Sequence, residues 1–153
     1  MKNMYNESIH IREEIRMEIL VNIKQLGAKR DKIKAVPFPL AGKPETVREL
    51  IEAAVQTCVE AFRQRGTQGT QPLTEEQITQ MEEIGKISFG VQYNENAADA
   101  GKAVSDALQA YEDGLVRIFI GQTQLGALES GIELHERDEV TFLRLTFLSG
   151  RMW

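Results

Sequence analysis

Cys58, His10 and His135 are the residues of this chain best suited to nucleophilic or metal chemistry, and their spacing decides what they can do. Structural zinc needs four Cys or His ligands at tight intervals, whereas these three lie scattered along 153 residues, so no metal centre is expected. A nucleophilic Cys58 would need an activating base. It falls instead in the apolar stripe of a predicted helix, where a buried thiol is inert. His135 stands among Glu133, Glu136, Arg137 and Asp138 in what reads as a solvated loop, and His10 lies in an N-terminal segment expected to fray. The carboxylate pairs Glu13 and Glu14, Glu75 and Glu76, and Glu82 and Glu83 read as solvent faces or helix starts, because acid/base dyads need partly buried groups with separated pKa values.

Nucleotide motifs fail as well. Gly42 and Lys43 look like the end of a phosphate loop, but Pro37 stands where its first glycine belongs and Pro44 where Ser or Thr would hold magnesium. No G-x-G-x-x-G occurs, and no cofactor is expected. What remains is the C-terminal tail, Gly150, Arg151, Met152 and Trp153. Arg and Trp are enriched at binding hot spots, since a forked cation and a large amphipathic ring anchor well in a partner's pocket. The tail is therefore the candidate partner-binding site. In the alternative reading, Trp153 folds back onto its own sheet and completes the core.

Length and charge narrow the class of function. A chain of 153 residues fits one domain and buries roughly 68–70% of its unfolded surface, so a full core needs no staples. The 42% hydrophobic and 27% charged content is that of a globular protein, and no run approaches the roughly 18–20 apolar residues of a membrane span. The first eight residues lack the order of a secretory signal, and a single cysteine cannot form an internal disulfide; both point to the cytoplasm. A formal charge of −5 argues against nucleic acid, whose binding is driven by Lys and Arg neutralising phosphates. The one basic run, Lys29, Arg30, Lys32 and Lys34, reads as a hairpin tip.

The elements that must position these residues are legible from periodicity. Met17, Ile19, Val21 and Ile23 alternate with polar residues, which predicts a central strand. After a turn at 27–32, residues 33–40 form a second strand whose Pro37 and Pro39 place it at a sheet edge. Val47, Leu50, Ile51, Ala54, Val55, Cys58 and Phe62 then make one helical stripe over 47–65, opened by a capping box of Thr46 and Glu49 and closed by Gly66. A loop is expected at 66–73. A second helix begins at Thr74, with Gln77 completing another capping box, and ends near Gly85. The alternation of Ile87, Phe89, Val91 and Tyr93 predicts a short extra strand ended by residues 94–96. Residues 97–111 form a third helix stopped by Asp113 and Gly114, 115–120 a strand, and 139–148 a strand apolar on both faces and hence interior.

The order hairpin, long helix, strand, irregular segment, strand resembles the β-grasp, or ubiquitin-like, fold. The run from Lys43 to Ile51 is similar to the T-V-x-x-L entry of that family's helix. Val116 to Gly121, then Leu128 and Glu129, then Leu134 with Asp138, Glu139 and Val140 resemble the closing V-x-V-x-x-N-G, L-D and L-x-x-G-D-E-V motifs of its sulfur-carrier branch, which includes the molybdopterin-synthase small subunit and the thiamine sulfur carrier. The likeness covers residues 17–66 and 115–149. It implies a single α+β domain over 1–153 with a mixed sheet, a long helix across it, and residues 67–114 as a helical insertion. Such an insertion is tolerable, because loop closure costs only about 0.6 kcal/mol per doubling of length. A plain βαβ unit over 87–120 in another α+β fold is the alternative. The resemblance implies a non-catalytic adaptor that binds a protein partner through its sheet face, its inserted helices or its tail; charge and hydropathy leave no role for nucleic acid or membrane. A sulfur-carrier or modifier role is the alternative; it would need a processed C-terminal glycine, since this chain has Ser149 before Gly150 rather than a second glycine.

Overall fold

The computed structural model describes residues 16–25, 33–65, 73–93 and 100–145. Strand β1 (Met17–Gln25) buries Met17, Ile19, Val21 and Ile23 on one face, as its alternation predicts. It runs antiparallel to β2 (Ile33–Leu40), from Met17 against Leu40 to Ile23 against Ile33. On its other side it runs parallel to β5 (Glu139–Arg144), from Leu20 beside Glu139 to Gln25 beside Arg144. β5 also pairs antiparallel with β3 (Val116–Ile120), which carries the two-residue β4 (Thr123–Gln124). The sheet is mixed, in the order β2-β1-β5-β3-β4, so β5 is interior as its apolar richness requires and β2 is an edge as its prolines require. β4 has no counterpart in the sequence reading, because two residues are too few to show a period. Residues 146–148, expected to extend β5, lie outside the described residues.

The register of β1 and β2 shifts between Val21 and Ile23, where Ala35 takes a left-handed φ of 53°. Asn22 manages the irregularity. Its Oδ1 accepts the Ala35 N–H at 2.6 Å, while its amide donates to Glu139 Oε1 and Thr141 Oγ1 at 3.3 Å each. One buried polar side chain thus ties the bulge on the edge strand to the interior strand.

Helix α1 (Val47–Arg65) has the predicted bounds and buries Val47, Leu50, Ile51, Ala54, Val55 and Cys58. Val59 and Ala61 are buried as well, and α2 (Glu75–Phe89) packs against the helix. The expected capping box at its start is only half formed. Thr46 Oγ1 accepts the Glu49 N–H at 3.1 Å, but the Glu49 carboxylate takes the N–H of Glu45 at 2.8 Å rather than that of Thr46. Val47 and Arg48 donate to the carbonyls of Ser130 and Leu128, so the loop before β5 satisfies two of the helix's orphan donors.

α2 corrects the sequence reading. It does not end near Gly85, and residues 87–93 add no strand: the helix continues to Phe89 and stops at Gly90, whose φ of 69° and N–H to the carbonyls of Gly85 and Lys86 form its C-cap. The buried residues Ile78, Met81, Ile84, Gly85, Ser88 and Phe89 follow helical spacing, which the local alternation of Ile87, Phe89 and Val91 imitates. Gly85 is no breaker because its missing side chain lets α2 approach α1. The Thr74 and Gln77 capping box is complete, with bonds of 3.1 and 2.9 Å. α3 (Ala100–Glu112) ends at Asp113 and Gly114 as expected, and residues 97–99 lie outside the described residues.

All three described helices contribute buried side chains to one cluster with Ile19, Ile23, Phe38, Val116, Ile118, Val140 and Phe142. Phe89 meets Phe142 edge to face, ring centres 5.1 Å apart. The described architecture is therefore an α+β pair of layers with the helices gathered on one face of the sheet.

Candidate functional site

The period of two that turns one face of the sheet toward the helices turns the alternate side chains the other way. The registers place them in rows. Pro37, Leu20 and Glu139 share one row; Asn22, Thr141, Phe119 and Gln124 the next; Lys24, Leu143 and Arg117 a third. The backbone pairing continues one step further, with the Leu145 N–H on the Leu115 carbonyl at 2.9 Å. Leu20, Phe119, Leu143 and Leu145 are half-buried, and Leu115 is the one large apolar side chain among the described residues that is exposed, at 40%. Lys24 and Arg117 are exposed on either side of Leu143 and form no ion pair with any described residue. Neighbouring strands lie about 4.8 Å apart, so the two cations and the leucine fit within one partner segment's reach. This face can bury apolar surface and receive negative charge. Among the described residues it displays no cysteine, histidine or serine.

Cys58 is fully buried between α1 and α2, and burial pushes its thiol up to about 12, which removes nucleophilic character at neutral pH. Its neighbour is the Tyr93 phenol, also pushed up by burial, which donates to the Glu82 carbonyl at 3.2 Å and stacks on Phe62 with ring centres 5.0 Å apart. Arg65 pairs with the Glu82 carboxylate at 3.0 Å across the same two helices. His135 is exposed in the loop before β5, 3.6 Å from Asp138 and 3.7 Å from Glu133. Glu75 and Glu76 form the first turn of α2 and Glu83 is exposed. Lys43 and Pro44 follow Gly42, which holds a left-handed φ of 77°. Gly150, Arg151, Met152 and Trp153, with His10 and the run Lys29, Arg30 and Lys32, lie outside the described residues.

Two features are not legible from the sequence. The first is the residue make-up of the sheet face that no described helix covers, in which register sets Lys24, Leu143 and Arg117 side by side. The second is a cleft of about 250 Å³ between α1 and the end of β2, with Ala53, Ala61, Leu73, Arg16 and Glu60 among the residues that line it. Thr57 Oγ1, which lines it, donates to the Pro39 carbonyl at 2.7 Å and so has its proton engaged. The cleft holds no cysteine or histidine among the described residues, and no group of metal-ligating side chains occurs there or elsewhere among them. No helix among the described residues is long and apolar enough to cross a membrane.

Comparison with known protein families, characterised proteins and solved structures finds no match to this chain.

Proposed function

We propose that this chain is a β-grasp, ubiquitin-like adaptor that binds a protein partner through the sheet face that the described helices leave uncovered, and that it performs no catalysis. The β-grasp reading is supported by the strand order β2-β1-β5-β3-β4, by the parallel pairing of β1 with β5, and by the long helix that follows the first hairpin. Within that reading, α2 and α3 are an insertion between the helix and β3. The binding role is carried by one observation: Leu115, Leu143, Leu145 and Phe119 form a contiguous apolar strip on a face where an ordinary solvated strand would carry polar residues.

The test is affinity isolation of the full chain from its native host, comparing the wild type with Leu115→Ser and with Gln56→Arg on the opposite side of the molecule. The adaptor reading expects a defined partner that Leu115→Ser depletes and Gln56→Arg retains. A partner retained by both variants counts against the face, and turnover of a small molecule by the purified chain counts against the non-catalytic role.

A further inference from the structure

We infer that the partner segment recognised by this face is acidic: an apolar side chain set between carboxylates. This rests on the proposed use of the sheet face and adds the chemistry of its ligand. The overall charge of −5 would by itself repel an acidic partner, so any attraction must be local. It is local here. Lys24 on β1 and Arg117 on β3 stand in register with Leu143 on the strand between them, and no described carboxylate neutralises either cation. The acidic side chains of the same face lie elsewhere. Glu139 is held by the Asn22 amide at 3.3 Å, and Glu18 is paired with Arg137. A cation that no described carboxylate pairs, beside a half-buried leucine, is costly to cover with an uncharged partner, because covering it removes water without replacing the lost interactions. A segment that lays an apolar side chain over Leu143 and Leu115 while presenting carboxylates to Lys24 and Arg117 avoids that cost and orients itself by charge.

The partner need not be known to test this. A displayed random-peptide library is panned against the immobilised full chain. The enriched peptides are then measured against the wild type, Lys24→Glu with Arg117→Glu, and Leu115→Ser, each first shown to keep the wild-type far-ultraviolet spectrum. The expected result is enrichment of leucine, isoleucine or phenylalanine flanked by Asp or Glu. Affinity should fall about tenfold or more on the double charge reversal and weaken with added salt. Peptides that lose binding to Leu115→Ser but carry no acidic bias, or that ignore the charge reversal, overturn the inference and leave the sheet-face reading standing. Peptides indifferent to Leu115→Ser overturn both.

Discussion

Gly85 and Cys58 meet where α2 crosses α1: a β-carbon built on Gly85 would stand 2.9 Å from the Cys58 Cβ and 3.1 Å from its Sγ. The Tyr93 hydroxyl fills the remaining space, so the two helices lock through an absent side chain, a thiol and a phenol.

Gly85→Ala is therefore an overpacking mutation, although alanine is the better helix former. It is expected to lower unfolding free energy by about 1–3 kcal/mol. Tyr93→Phe, which removes one of the clashing atoms, should recover part of that loss in the double variant. Urea unfolding of the four members of the cycle gives the coupling, which is expected to be non-additive.

Alkaline stability follows from the same cluster. The Cys58 thiol is raised from 9.0 to about 12, so the folded state holds that proton more tightly than the unfolded chain does. Its contribution is intact below pH 9 and is lost as pH rises toward about 12. Tyr93 shifts in the same direction through its own burial. Urea midpoints should decline above pH 9, and Cys58→Ala should flatten that decline. At neutral pH the native thiol should resist a thiol reagent until denaturant is added.

Ala35 occupies a left-handed conformation that costs a non-glycine residue roughly 1–2 kcal/mol. Ala35→Gly should therefore stabilise the protein, by up to about 1 kcal/mol after glycine's greater freedom in the unfolded chain is counted. Asn22→Ala removes the acceptor for the Ala35 N–H and should destabilise by about 1 kcal/mol or more. Both are read as shifts in the urea midpoint.

Thr46→Ala removes the side-chain acceptor for the Glu49 N–H at the start of α1. A loss of about 1 kcal/mol is expected, in the ordinary range for an N-cap. Glu49→Ala should cost stability as well, through the N–H of Glu45 rather than that of the cap residue.

Most of the sheet was legible because its signals are local. Alternation in β1, two prolines in β2 and apolar residues on both faces of β5 each point to a place in the sheet, and the register of β1 beside β5 agrees. Residues 87–93 misled for an equally physical reason. Ile87, Phe89 and Val91 satisfy a period of two over a window too short to exclude a helix, and Gly85 read as a stop although its role is close packing on Cys58. The residues of the proposed binding face were hidden because they belong to no single segment. Lys24, Arg117 and Leu143 are far apart in sequence, each unremarkable in its own strand, and only pairing across three strands makes them one site.

The most direct test of that site places a photoreactive phenylalanine analogue at position 143, or at Glu83 on the exposed side of α2, in the full chain expressed in its native host. Irradiation is expected to give a discrete covalent adduct with one protein from position 143 and none from position 83. Adducts from position 83 alone would contradict the account.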